Sequence, residues 1–519
     1  MTQRRLSLAI LLVVIACAIG LGGLSQVRPV DGDEGYYATA ARLIAEGKTP
    51  YKDFFYPQMP YFPYIYAPVY KMVGASIANM RWLSVALSVL GLAFWGSFLR
   101  SRFGDRPFVA LAGLLIVALD PNLMSWNVTV KTYAFTNMAV FATIWALDRG
   151  LRTQRILWFG LAGVVAGLAV SVRLMYLPWA AATFLAFVWQ SNRNDAVRIS
   201  PKAPAAAAIG FLLALVPVLG FVSADLDRFW FNNYIYHHLR FSALDSVPDP
   251  AGLHWPQIEA ALNVFARAIF NNFYLLLVVV IAFVEWVVSR RREASPVSAL
   301  TRAFGVGAAA HIIVCLLPDP THVQYFTSSL TPMLALLLVG GMESFGKIAT
   351  VRNRLAPAFA GVLILCLGLA TYELQVGKTG MNWNEVWSFE HQTAVKESIV
   401  EHTEPGDVVL AFWSGYVFES EREYVFGMQN HFAIGVSERL SLVEMVDYKI
   451  AGKEVILKAI LTKEPKVVVL GAWMHEMDTT LEQQDLPLIL QELESNYEIV
   501  WMLGETKVMV RRPGPGLKM

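Results

Sequence analysis

The sequence predicts a mainly α, polytopic membrane protein with a C-terminal extracytoplasmic α/β domain. Three observations carry that prediction. Hydrophobic residues make up 55% of the 519 positions and gather into runs long enough to cross a bilayer, with a mean hydropathy of +0.46. Basic residues cluster between those runs with one consistent sidedness. After about residue 376 charges return and the apolar residues take up short, strand-like runs. The formal net charge of +1 carries no polyanion-binding signal, so no nucleic-acid partner is expected. Cys17, Cys315 and Cys366 each sit inside an apolar run, without metal-ligand spacing or a disulfide framework.

Apolar runs near 6–24, 77–99, 107–119, 131–147, 156–172, 174–190, 204–222, 271–289, 303–317, 326–342 and 355–373 predict about eleven transmembrane helices. The first run could be read as a signal peptide, but no small-residue cleavage site follows it. It is expected to stay as a first membrane helix. The basic clusters test the count. Arg4 and Arg5 open the chain; Arg100, Arg102 and Arg106 follow the second run; Arg149, Arg152 and Arg155 follow the fourth. Arg193, Arg198 and Lys202 follow the sixth, Arg290 to Arg292 the eighth, and Lys347, Arg352 and Arg354 the tenth. All fall on one side, which predicts a cytoplasmic N-terminus and an extracytoplasmic C-terminal domain.

Two domains are expected, a membrane domain over 1–375 and a soluble α/β domain over 376–519. The outward parts are then the loop 25–76, the stretch 223–270 and the C-terminal domain. In that domain Asp407–Phe412 and Lys466–Leu470 read as buried strands, Leu481–Asn496 as an amphipathic helix, and Tyr497–Arg511 as a closing strand or hairpin. Within the first loop, Tyr36–Ala45 has helical spacing of apolar residues. The aromatic- and proline-rich stretch Gly47–Tyr64 is expected to lie along the membrane surface.

The loop opens on Asp31-Gly32-Asp33-Glu34. Three carboxylates at a bilayer edge repel one another and are costly to desolvate, so such a cluster marks chemistry or ion binding more often than an ordinary solvated loop.

At this point the residues resemble a known family. Asp33-Glu34-Gly35-Tyr36-Tyr37, then Gly47-x-x-Pro50-Tyr51-x-Asp53-Phe54, then Pro60, is similar to the first outward loop of GT-C class membrane glycosyltransferases, the relatives of protein O-mannosyltransferases and of the aminoarabinose transferase of lipid A. Gly163-x-x-x-Gly167 with Arg173 and Pro178, His322-x-x-Tyr325 with Pro332, and Phe229-Trp230-Phe231 with His237-His238 and Arg240 continue the likeness over residues 1–375.

The resemblance implies a GT-C fold and inverting transfer of a sugar from a polyprenyl-phosphate donor to an extracytoplasmic lipid, glycan or protein; the topology suits a bacterial plasma (inner) membrane or an archaeal one, and an endoplasmic reticulum location has the same sidedness. It implies Asp33 as the base, with Glu34 orienting it, pairing with a cation, or helping to bind a metal. Asp31 is a third candidate. Arg240, with its fork of donors, and His237, one turn before it, are candidates for the donor phosphate, together with Tyr325, His322, Tyr56 and Lys131. Arg173 either touches phosphate or sugar or snorkels to the interface. Asp120 is the nearest carboxylate where family members carry an acid at the start of the fourth span; this chain has Asn127 to Tyr133 there.

Met59-Pro60 stands where the aminoarabinose transferase pattern has Lys-Pro, so one phosphate contact passes to Lys131 or Lys52. No cofactor is implied with certainty. A divalent cation would fall to Asp33 and Glu34, and the His237-His238 pair raises zinc as an alternative. Glu285, about a turn and a half from Arg290, is expected to reach the cytoplasmic surface. The rival reading is a secondary transporter or lipid flippase. It would place charged or broken helices near mid-membrane in symmetric halves, and no halves correspond here.

Overall fold

The computed structural model describes residues 2–193, 199–241, 255–289, 296–317, 322–348, 365, 368–369, 385–471 and 485–513. The chain divides into two compact units. One comprises 1–26, 82–221 and 249–381; the other comprises 27–81, 222–248 and 382–519.

The first unit is helical. Every predicted run from 6–24 to 326–342 coincides with a helix: Gln3–Val27, Ile77–Phe103, Pro107–Ala118, Tyr133–Thr153, Ile156–Val172, Leu177–Arg193, Lys202–Ala224, Phe273–Ser289, Pro296–Cys315 and Leu330–Ile348. Apart from helical Leu365 and Gly368–Leu369, the predicted run 355–373 lies outside the described residues, as do Arg198, Arg290 to Arg292, Arg352 and Arg354. Among the described residues four helices are individually long and apolar enough to cross a membrane: Gln3–Val27, Ile77–Phe103, Lys202–Ala224 and Val297–Cys315. The chain is an integral membrane protein. Ile258–Phe270 and Phe273–Val287 form a further apolar pair, bent by 100° at the break between them.

Sequence explains the short helices. Pro107 opens one at its first position, and Asp120-Pro121 starts the next, so the helix between has only 12 residues. The small-residue pattern around Gly163 has a plain use. A Cβ there would stand 1.9 Å from the Ala207 carbonyl oxygen, and one on Gly210 would stand 2.1 Å from that of Gly160. Only glycine lets these two backbones approach so closely, the usual way apolar helices associate in lipid. Glu285 corrects its expectation. It is buried, with an oxygen 2.8 Å from where a Cβ on Gly340 would lie, because its helix packs that face inward instead of towards the surface.

The second unit is built on a five-stranded sheet: β1 (Val408–Ala411), β2 (Glu423–Tyr424), β3 (Val467–Leu470), β4 (Tyr497–Leu503) and β5 (Thr506–Arg511), in the order β2-β1-β3-β5-β4. β1 pairs in parallel with β2 and β3, and β5 pairs antiparallel with β3 and β4. All of β3 is buried, as its unbroken Val-Val-Val-Leu run predicts. Gly504, at φ +57°, supplies the positive φ that the two-residue β4–β5 hairpin needs. The predicted amphipathic helix appears as Asp485–Asn496, its first four residues lying outside the described ones.

The loop after the first span folds into the same unit as the helices Gly32–Ala45 and Tyr61–Val73. This corrects the surface-lying aromatic stretch. Tyr51, Phe54, Phe55, Tyr56 and Phe62 are each at most 4% exposed. Phe54 meets Tyr56 edge-on, Tyr51 meets Phe229, Phe55 meets Phe231 and Tyr236, and both Tyr56 and Phe62 meet Tyr37, so this crowded aromatic surface is buried within the protein.

Candidate active site

In the second unit the acidic residues form the first turn of the helix Gly32–Ala45. Asp31 is its N-cap, accepting from the Asp33 backbone N–H at 3.1 Å, and Glu34 accepts from the Asp31 N–H at 2.8 Å, completing a capping box. The positive end of the helix favours these negative charges. Glu34 is fully buried and pairs with the equally buried Arg81 through both oxygens, at 2.8 and 2.5 Å. Arg81 also donates to the carbonyls of Arg28, at 2.7 Å, and Pro29, at 3.0 Å, and lies over the Phe389 ring. Asp33 stands half-buried beside this arrangement, as does Asp31.

The same turn is gripped by the C-terminal part of the chain, which belongs to the same unit. The Trp413 indole donates to the Gly32 carbonyl at 2.8 Å, Val30 N–H donates to the Trp387 carbonyl at 2.7 Å, and Arg42 donates to the Arg422 carbonyl at 2.9 Å. Thr39 and Tyr424 share a hydroxyl–hydroxyl bond of 2.9 Å.

The stretch after residue 222 packs in this unit too. Arg228 pairs with Asp447 at 2.5 Å, Phe231 stacks on Tyr448 at 3.7 Å, and the Asn232 amide oxygen accepts from the Tyr56 backbone N–H at 3.0 Å. A π-helical turn, Phe231–Ile235, interrupts the helix here. His237 donates through Nε2 to the Pro57 carbonyl at 3.0 Å. Arg240 follows on the helix Tyr236–Phe241, and its side chain lies outside the described residues. The Tyr56 hydroxyl is buried with no hydrogen-bond partner among the described residues, and burial holds its phenol well above the ordinary value. Lys52 is exposed.

In the first unit a separate cluster gathers the cationic candidates. Lys131 donates to Gln324 at 3.3 Å, with its ammonium 4.8 Å above the Trp126 ring and 5.6 Å above that of Tyr133. Arg173 donates to Thr132 at 3.0 Å and lies 4.8 Å above Tyr133 and 5.3 Å above Tyr325. His322 occupies the N-cap position of the short helix Val323–Thr327, and its ring meets that of Tyr325 edge-on at 5.3 Å. Lys131 and Arg173 are 2% and 7% exposed, so this is a built cluster and not an interfacial snorkel. Asp120 is instead committed to the fold. It caps Pro121–Trp126, accepts from the Asn122 and Leu123 N–H groups, and accepts from the Thr331 hydroxyl.

Sequence reasoning missed Arg28, Arg81 and Trp413. Arg81 carried a signal, a lone charge inside an apolar run that must find a partner. Arg28 is buried before Asp31, and desolvation lowers its guanidinium to about 10 against the opposing pull of the Asp31 carboxylate. Trp413 carried none. Among the described residues no three of His, Cys, Asp and Glu converge as a metal site.

Residues 57–221 match the family model of dolichyl-phosphate-mannose-protein mannosyltransferases. No curated protein matches the chain by sequence. Among solved structures, ArnT from Cupriavidus metallidurans bound to undecaprenyl phosphate superimposes with a TM-score of 0.65 at 14% identity, covering 96% of this chain and 97% of that one. Its apo state gives 0.66 over the same shares. The Archaeoglobus fulgidus oligosaccharyltransferase, tethered to an acceptor peptide, gives 0.50 at 13% identity, over 97% of this chain and 74% of that one. The resemblance read from the motifs is borne out in the matched segment and in the architecture: this chain has the GT-C fold of membrane glycosyltransferases.

Proposed function

We propose that the protein is a membrane glycosyltransferase that moves a sugar from a polyprenyl-phosphate donor to an acceptor hydroxyl on the extracytoplasmic side of a bacterial plasma membrane. Asp33 takes the acceptor proton, and the acceptor oxygen forms a bond to the anomeric carbon from the face opposite the phosphate. The carbon–phosphate-oxygen bond breaks, and the electron pair leaves on polyprenyl phosphate with inversion. Lys131, Arg173, Tyr325 and His322 stabilise that departing charge, along with Arg240, His237 and Tyr56. Asp31 and Glu34 hold the turn that carries Asp33.

One observation carries the reading most: the buried Glu34–Arg81 pair and the capping box fix an acidic turn and leave Asp33 half-buried on it. A carboxylate so held suits a general base better than a solvated loop does. The test incubates the full chain in liposomes with radiolabelled undecaprenyl-phosphate sugars and candidate acceptors. Transfer of at least one sugar, abolished by Asp33→Asn, supports the assignment. Full activity in that variant removes Asp33 as the base, and no transfer from any donor removes the enzyme reading.

A further inference from the structure

We infer that Trp413 of the C-terminal domain is a positioning residue for the acidic turn, an inference that rests on the transferase reading above. The indole sits against Gly35, in the first turn of the helix, where the missing side chain leaves room for it. A Cβ on Gly35 would lie 2.7 Å from Trp413 Nε1 and 2.7 Å from the Gly415 backbone nitrogen. Gly415 is equally constrained, since a Cβ there would stand 2.2 Å from the Trp413 ring. Two glycines in separate parts of the chain thus clear one slot, and the indole N–H uses it to donate to the Gly32 carbonyl at 2.8 Å.

That carbonyl belongs to the residue between Asp31 and Asp33, so the bond sets where the first turn begins. The indole is itself held rigidly. Trp413 is 1% exposed and meets Trp387 and Tyr416 edge-on at 5.4 and 4.9 Å. Trp387 in turn accepts from the Val30 N–H, on the other side of the acidic residues. Such bracing exceeds what anchoring a helix needs, because apolar packing alone would do that. A directional bond at this carbonyl aims the carboxylates. The C-terminal part of the chain therefore serves the catalytic apparatus through its contact with the turn, and a shift of order 1 Å at such a turn is enough to cost about 100-fold in rate.

The test uses the full chain in lipid nanodiscs. Trp413→Phe keeps a ring and removes the N–H; Gly35→Ala pushes a methyl against the indole. Amide hydrogen exchange is read over the whole chain. With an undecaprenyl-phosphate sugar that the unsubstituted protein turns over, kcat and KM are read separately. Trp413→Phe should quicken exchange at residues 31–37 only, and should lower kcat about 10- to 100-fold with donor KM unchanged. Gly35→Ala should do the same, and the double variant should lose no more than the worse single one. Unchanged exchange at 31–37, exchange quickened throughout the chain, additive losses, or faster exchange with normal kcat would each overturn the assignment. If no donor is turned over by the unsubstituted protein, the transferase reading fails, and exchange alone still decides whether Trp413 fixes the turn.

Discussion

The acidic turn of one unit and the cationic cluster of the other are built by opposite means. Asp31, Asp33 and Glu34 are held by directional bonds: a capping box, a two-pronged ion pair with Arg81, and an indole donor at Gly32. Lys131 and Arg173 rest over the faces of Trp126, Tyr133 and Tyr325, and donate to Gln324, to Thr132 and to the Met175 sulfur. Directional bonds fix an angle, as a base must have. A ring face holds a cation in place without fixing the direction of its N–H groups. On the transferase reading proposed above, the contrast is a division of labour: Asp33 is held to take a proton, and Lys131 and Arg173 are there to meet a phosphate.

The largest expected effect falls on the aimed side. Asp33→Asn should lower transfer by about 10²- to 10⁴-fold, the usual worth of a general base, while thermal unfolding stays unchanged. A melting point that drops with activity would place Asp33 among the supports instead. Glu34→Gln should act first on stability, and on transfer through the turn it holds. It leaves a buried guanidinium without its charge partner, a loss of about 3–5 kcal/mol, and thermal unfolding in detergent should report it directly. Were the variant as stable as the parent, the turn would not depend on the pair.

On the cationic side the effects should be smaller. Arg173→Ala should weaken undecaprenyl phosphate binding about 10- to 100-fold, as one or two charge-assisted hydrogen bonds allow, with little change in stability. Lys131→Ala should act in the same direction, and parental affinity in both variants would break the comparison.

The smallest effect concerns pH. Glu419 is partly buried and accepts from the Ile77 N–H, and desolvation raises its carboxyl above the usual range. The folded state then binds the proton more tightly than the unfolded one, so this group's contribution to stability falls as pH climbs from the ordinary carboxylate value through the raised one. Glu419→Gln keeps the acceptor and removes the titration. Thermal unfolding followed from pH 4 to 8 should show a flatter profile in the variant, and parallel profiles would exclude the group.

Much of the fold was legible because its signals are local. Apolar runs between clustered arginines mark helices, and Val467–Leu470 or Gly504 mark strands and a turn by their own composition. Asp33 and Glu34 were legible as a pair, but their difference was not. That Glu34 is consumed by a partner 47 residues on, and that a tryptophan 381 residues away reaches Gly32, are facts of tertiary folding that no local pattern records. The aromatic stretch was misread for the same reason. Tyr51 to Phe62 have the composition of a membrane belt, and their ring partners at Tyr37, Phe229, Phe231 and Tyr236 make them a core. For Arg173 the local sequence suits either an interfacial or an interior place, and the rings of Tyr133 and Tyr325 beneath it make the place interior.

The division of labour is tested most directly by measuring equilibrium binding of undecaprenyl phosphate to the parent, to Asp33→Asn and to Arg173→Ala in nanodiscs. The account predicts parental affinity for Asp33→Asn and an affinity reduced about 10- to 100-fold for Arg173→Ala. Loss of binding in Asp33→Asn with none in Arg173→Ala would contradict it.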